Sequence, residues 1–282
     1  MICKSEQLAP LKGYESTFLV KCTVCSFVFS EMIPSEQELM DFYDGYGRND
    51  YLSPVTIKRY HELLDKFEPY KKTGKILDVG CGIGYFLHEA KKRGWDVFGT
   101  EYTDLAIEIC ASKGIEMKQG KLDVSDFELG EFDIITSFEV LEHINNPVEE
   151  ISNFHQLLRP EGLVYLTTPN FNSLLRYKLK AKYDVITYPE HLSYYTPKTL
   201  KYSFEKNGFK KKKIETTGIS LSRLKNSKSE LTVSPISQNS TDEHLRSRFE
   251  KNILLKKSKQ LINFSLTTFG VGDSLKGWFI KK

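Results

Sequence analysis

The chain has 282 residues, 40% of them hydrophobic and 27% charged, with a formal net charge of +3. That composition excludes a disordered polymer and supplies enough apolar side chain for a buried core. The small net charge gives no global argument for nucleic acid, and no window reaches the roughly 18 consecutive apolar residues of a membrane span. The five cysteines, Cys3, Cys22, Cys25, Cys81 and Cys110, and a start (MICKSEQLAP) without an apolar leader point to a reducing cytoplasm.

Met1 to Asp50 reads as a small irregular arm. FLVKCTVCSFVF predicts two strands around a turn, and PSEQELMDFYDGY a short helix that starts at Glu36 under a Ser35 cap. Between Tyr51 and Lys72 the spacing of Ile57, Tyr60, Leu64 and Phe67 predicts a helix. From Lys75 onward strands and helices alternate. KILDVG, WDVFGTE, IEMKQG, FDIITSF and GLVYLTT read as strands; FLHEAKKRG, LAIEICASKG and VEEISNFHQLLRPEG read as the helices between them. Gly94, Gly114 and Gly162 stand where helix C-caps are expected.

FKKKKIETTG and GDSLKGWFIKK complete the strands. The lysines Lys210 to Lys213 read as a solvated strand end, with contact to phosphates or a membrane surface as the alternative. Between the last two strands, SRLKNSKSELTVSPISQNSTDE reads as a mobile insertion and Glu243 to Phe264 as an amphipathic helix. Alternation of this kind predicts an α/β fold, a doubly wound, mostly parallel sheet with helices on both faces. The expected organisation is an arm over residues 1–50 and a ligand-binding domain over 51–282, with 190–270 as a lid.

Within ILDVGCGIGYFL a strand runs into three glycines and then a helix, a turn that lets backbone approach a ligand closely. The spacing is G-x-G-x-G. The dinucleotide pattern G-x-G-x-x-G needs a third glycine where this chain has Tyr85. Asp78 precedes the first glycine by two residues, where it would repel a pyrophosphate and suit an ammonium group. Glu101 ends the next strand, where a carboxylate can accept both hydroxyls of a ribose. A ribose joined to a cationic amino-acid end describes S-adenosylmethionine.

On these motifs the sequence resembles the class I S-adenosylmethionine-dependent methyltransferases, from ILDVGCGIGYF through FDIITSFEVLEHINNP to LLRPEGLVYLTTPN. The later segments PEHLSYYTPKTLKYSFEKNGF and GDSLKGWFIKK resemble a bacterial subgroup found with sugar and surface-polysaccharide genes; ubiquinone-pathway O-methyltransferases look like more distant relatives. The resemblance implies a seven-stranded sheet. It implies that Asp78, Gly80, Cys81, Gly82 and Gly84 line the methionine end, Glu101 takes the ribose, and Tyr102 lies beside the adenine. Leu122 and Asp123 would flank the adenine, and Phe138 and Glu139 would lie under the methionine. For Leu122 and Phe138, plain core packing is the competing reading.

The sulfonium is already a strong methyl donor, so the protein must align the acceptor and, for a hydroxyl, remove a proton. His143 and His191 are the candidate bases. Glu139, Glu142 and His143 also have the look of a divalent-metal cluster, but no metal is assigned; capping the next loop explains Glu142 and His143 as well. Tyr188, Tyr194 and Tyr195 read as an aromatic wall for the acceptor or as packing. The subgroup often begins with a zinc ribbon. Here Cys22 and Cys25 keep one half, only Cys3 remains of the other, and Ser26 replaces a glycine, so the arm is a degenerate version of it. The expected partner is a small-molecule or glycan acceptor, with O-methylation of a sugar-like hydroxyl first. A nicotinamide oxidoreductase and a non-catalytic nucleoside-binding module are the alternatives. A nucleic-acid substrate is set aside, because FEVLEH replaces the Asn/Asp-Pro-Pro-aromatic clamp.

Overall fold

The computed structural model describes residues 2–35, 37–38, 52–220 and 252–282. The arm carries β1 (Leu8–Pro10), β2 (Leu19–Cys22) and β3 (Val28–Ser30), an antiparallel meander that contains the expected strand pair. Ser35 caps as its sequence suggests: Glu38 N donates to Ser35 Oγ at 3.3 Å, and Ser35 N donates to Glu38 Oε2 at 2.8 Å. Glu36 itself lies outside the described residues.

Helix α1 (Pro54–Phe67) starts under Ser53, with proline at its first position. Then follow β4 (Lys75–Val79), α2 (Tyr85–Lys92), β5 (Asp96–Glu101), α3 (Asp104–Ser112), β6 (Glu116–Gln119), β7 (Phe132–Phe138), α4 (Pro147–Leu157) and β8 (Leu158–Pro169). The remaining elements are α5 (Leu174–Leu179), β9 (Ser193–Tyr194), α6 (Pro197–Lys206), β10 (Phe209–Thr217), α7 (Ile253–Phe269) and β11 (Ser274–Lys281).

Seven strands form one sheet in the order β10-β11-β8-β7-β4-β5-β6. Only β11 runs against the direction of the other six strands. Alternate residues of the central strands feed separate cores. Leu77, Ile135 and Val164 pack on one face with Phe154 and Phe204; Ile76, Ile134 and Leu163 pack on the other with Phe67 and Phe86. From β4 the chain goes to β5 on one side and later to β7 on the other. The carboxyl end of β4 is therefore the switch point at which such sheets bind ligands.

Three expectations change. Gly94 and Gly114 do follow α2 and α3, but Gly162 lies inside β8 and caps nothing. Arg159 precedes Pro160, which disfavours helical backbone, so α4 ends at Leu157 and the chain turns straight into strand. Second, the described residues within 190–270 do not form one lid. β9 pairs with β3 of the arm, α6 packs on β10 and β11, and β10 is an edge strand registered against β11 from Phe209 to Thr217. Helix α7 runs to Phe269, past the expected Phe264; Glu243 and the polar stretch before it lie outside the described residues. Third, the cut at residue 50 does not separate two cores. Tyr14, Leu19 and Val28 share one with Phe171, Tyr183, Ile186 and Tyr194. The lysines 210–213 are exposed on the edge strand, where charge blunts strand-to-strand association.

One buried charge ties this framework together. Asp133, fully buried in β7, pairs with the Arg159 guanidinium. It also accepts the backbone N–H groups of Lys72, Thr73 and Gly74 at 2.8, 2.8 and 2.7 Å. The link from α1 into β4 is thereby fixed to the fourth strand of the ligand-binding half.

Candidate active site

Between β4 and α2, Gly80, Gly82 and Gly84 have φ of +69°, +54° and +72°, the left-handed region that side chains disfavour. Two of the three face protein. A Cβ on Gly80 would lie 2.5 Å from Val140 Cγ2, and one on Gly84 would lie 2.6 Å from Ile115 Cδ1 and 2.8 Å from Cys110 Sγ. Gly82 differs: a Cβ there would meet no heavy atom within 4 Å. The turn therefore opens outward at Gly82. Cys81 gives the turn its backbone only, since its Sγ is turned to Met117 Sδ at 4.0 Å.

Glu101 sits across this opening. Gly82 N donates to its Oε2 at 3.0 Å and Tyr102 N to its Oε1 at 2.8 Å, so the carboxylate bridges the ends of β4 and β5. Beneath the turn, Asp78 is 2% exposed and accepts from Thr136 Oγ1 at 2.7 Å. Burial pushes its carboxyl up to about 7; the Thr136 bond opposes the shift and the Glu101 charge adds to it.

The other expected residues divide between rim and core. Tyr102 is exposed beyond Glu101. Asp123 is exposed as well, and its Oδ1 accepts from Ser125 N at 2.8 Å and Ser125 Oγ at 2.7 Å. Leu122 is 3% exposed and belongs to the core, which favours the packing reading. Phe138 stands against Phe86, Tyr165 and Tyr60, with ring centroids 5.1, 5.8 and 6.4 Å away. Glu139, next in the chain, is an exposed non-glycine residue at φ +53°, a strained backbone at the mouth of the sheet.

Sequence reasoning missed the hydroxyls at the strand ends. Thr136 holds Asp78, Thr100 Oγ1 accepts from Gly80 N at 3.3 Å, and Thr168 Oγ1 donates to Glu142 at 2.8 Å. Ser137 Oγ is buried and has no hydrogen-bond partner among the described residues. The signal was present: FGT, ITS and LTT each close an apolar strand with a hydroxyl, at the edge where ligands bind.

The two histidines, 48 positions apart in the numbering, meet with ring centroids 4.9 Å apart. His143 follows β7 in a single turn, Leu141–His143, with its Nδ1 2.8 Å from Glu190 O; the Glu139 backbone also hydrogen-bonds the ring. Burial outweighs these contacts and pushes its pKa down, so the ring is neutral at pH 7. His191 Nδ1 lies 2.7 Å from Val185 O, which orients the ring with Nε2 away from that carbonyl. Glu142 is buried, and its carboxyl is pushed well up by burial and by the nearby Glu139 charge. The cluster of ligand-type atoms within 4.8 Å is Glu142, His143 and His191. His191 thus stands where the sequence reading placed Glu139. Of the two readings of the tyrosines, packing describes Tyr194 and Tyr195, which are core residues, 4% and 0% exposed. Tyr188 packs edge-on against Phe18 of the arm at 5.3 Å.

Residues 51–214, well over half of the chain, match the methyltransferase domain family. The chain belongs to that family. Among curated relatives, the ubiquinone biosynthesis O-methyltransferase of Actinobacillus pleuropneumoniae is 32% identical over 143 residues, 47% of this chain and 58% of that protein. The corresponding enzyme of Methylococcus capsulatus is 32% identical over 112 residues, 37% of this chain and 47% of its own length. The chain thus spans about half the length of the curated relatives it matches. A methyltransferase of Archaeoglobus fulgidus has the same fold, with TM-score 0.52 and 20% identity over 88% of this chain and all of that one. Phosphoethanolamine N-methyltransferase 2 of Haemonchus contortus, solved with S-adenosyl-L-methionine, gives TM-score 0.58 and 18% identity over 90% of this chain and 61% of its own.

The fold is that of the class I S-adenosylmethionine-dependent methyltransferases, and S-adenosylmethionine is the cofactor of the class. The residues present fit it. The open face of Gly82 is a cradle that any side chain would fill. The buried Asp78 gains most from a cation, and Glu101 is held at the turn with its two oxygens fixed.

Proposed function

We propose that this chain transfers the methyl group of S-adenosylmethionine to a hydroxyl of a small molecule in the cytoplasm, a sugar or glycan being the first acceptor class. The reading is carried by the opening at Gly82 with Glu101 across it and Asp78 below. Asp78 and the Gly80–Gly84 turn hold the methionine end, with Phe138 and Glu139 forming its floor. Glu101 takes the ribose, and Tyr102 and Asp123 border the adenine. Cys81 and Leu122 act from beneath, by packing. The sulfonium supplies the methyl group when bound; the chain aligns the acceptor and takes its proton. His191 is the base, oriented by Val185 O, and His143 lies against its ring. The acceptor side is built from the arm together with residues 171–194, which share a core.

Calorimetry with S-adenosylhomocysteine and NADH tests the cofactor assignment. Only the first should bind, and binding of NADH alone would overturn the reading. Because burial holds the free Asp78 carboxyl at about 7, a proton must leave before it can pair with the ligand ammonium. Affinity is therefore highest above pH ~7 and weakens as pH falls, by up to about tenfold per pH unit. An affinity flat from pH ~5.5 to ~7.5 would remove Asp78 from the site. His191→Gln should lower methyl incorporation from labelled cofactor into an acceptor fraction by about 10²- to 10⁴-fold, with cofactor affinity unchanged.

In the arm, Cys3, Cys22 and Cys25 gather their sulfurs within 4.8 Å, and Cys3 Sγ lies 3.5 Å from Cys22 Sγ. Ser26 takes φ +66° where the ribbon pattern has glycine. Burial raises the Cys22 thiol, but the N–H groups of Cys25 and Val24 and the neighbouring thiols outweigh it and bring it to about 7; burial pushes Cys25 up to about 12. The three sulfurs stand as three of the four ligands a structural zinc site takes, and the arm is a zinc-ribbon-like unit that would bind zinc with a fourth donor. Purified protein should carry one zinc per chain by elemental analysis and lose it in Cys22→Ser. Metal-free protein with an unchanged melting temperature in excess zinc would refute the site.

A further inference from the structure

Helix α7 shows most of its large apolar side chains to solvent. Its inward side buries Leu266 and is otherwise moored by polar groups: Thr267 Oγ1 donates to Thr216 O at 2.9 Å, and Asn263 Oδ1 accepts from Gly218 N at 3.0 Å. Its outward side carries Leu254, Leu261, Ile262, Phe264 and Phe269, which are 75%, 68%, 53%, 70% and 74% exposed. A helix packed on a water-facing domain has the opposite arrangement. The face continues onto α5, because Leu174 N donates to Val271 O at 3.1 Å. Leu174 and Tyr177 there are 47% and 54% exposed.

The charge beside these apolar side chains is cationic: Lys257 is exposed four residues before Leu261 and seven before Phe264, and on α5 and just past it Lys178 and Lys180 are exposed beside Tyr177, whereas Lys256 and Lys259 share the moored side with Asn263. Apolar side chains standing in water among cations match the boundary of an anionic bilayer, where the rings enter the headgroup region and the lysines meet phosphate. A second copy of the chain would bring the same cations together. The face also lies near the edge where the cofactor turn opens, since Asn170 N, just past β8, donates to Asp273 O at 2.8 Å.

We infer that α7, with α5 beside it, docks the enzyme reversibly on a membrane surface rich in anionic phospholipid. This does not depend on the methyl-transfer reading. The test is flotation of the full chain with vesicles of phosphatidylcholine, alone or with roughly 30% phosphatidylglycerol. The protein should float with the anionic vesicles only and be released by high salt. The triple variant Leu261→Gln, Phe264→Gln, Phe269→Gln changes only exposed side chains. It should keep the wild-type melting temperature and partition about tenfold or more weakly. Protein that stays behind at every composition, or a variant that floats as well as wild type, would refute the docking. A dimer in light scattering that the triple variant dissociates would assign the face to a second copy and overturn it equally.

Discussion

Gly82→Arg should abolish binding of S-adenosylhomocysteine, weakening it by at least about 100-fold, while the protein stays folded. The two effects separate because of where the glycine faces. A Cβ at Gly82 meets no heavy atom within 4 Å, so the new side chain leaves the backbone without a clash and its main penalty is the left-handed φ of +54°. That strain is about 1–2 kcal/mol, a shift of a few degrees in melting temperature for a chain of this size. The guanidinium, however, occupies the cradle and sits beside the Glu101 carboxylate, which already accepts from Gly82 N. It would pair with the group assigned to the ribose. Gly84→Ala is the contrasting control: its Cβ would press on Ile115 and Cys110, so stability should fall first. Calorimetry and a thermal melt on both variants read the difference. Wild-type affinity in Gly82→Arg would mean that the ligand lies elsewhere.

What was legible in the sequence followed local rules. Every strand of the large sheet was visible: the central ones are short apolar runs, the helices between them have their own period, and the edge strands β6 and β10 each follow a helix and a glycine. The glycine turn and Glu101 were readable for the same reason: both sit at element ends fixed by a few neighbouring residues. What stayed hidden depends on contacts remote in sequence. β9 has two residues and no pattern of its own; it exists because β3 offers it an edge. The pairing of His143 with His191 follows from it, since β9 draws the segment after Tyr188 across the end of β7, where Leu192 N donates to Glu142 O at 2.8 Å. The same strand buries Tyr194 and removes it from the acceptor wall. Gly162 misled because a glycine after a helix is usually a cap, whereas here Pro160 had already ended the helix and the buried Arg159 pulled the chain toward Asp133.

That ion pair was the other silent feature, although an aspartate inside the apolar run FDIITSF asks for a partner. Asp133→Ala should be the most destabilising single change outside the ligand site. It leaves Arg159, a residue 8% exposed, without its counter-charge, and three backbone N–H groups without their acceptor. Breaking a buried pair from one side costs about 3–5 kcal/mol, against a total stability of roughly 5–15. For this chain length that corresponds to a fall of about 10 °C in melting temperature. The pH dependence has a definite sign. Burial raises the Asp133 carboxyl, but the Arg159 and amide hydrogen bonds outweigh it and hold it below the usual range. Its contribution is therefore present at neutral pH and lost as pH falls from the unfolded value through the folded one. The variant should consequently lose less stability than wild type on acidification. The double variant Asp133→Ala, Arg159→Met should recover part of the loss, because the uncompensated charge is gone. A melting temperature within about 2 °C of wild type in the single variant would mean that the pair does not hold the sheet to the link between α1 and β4.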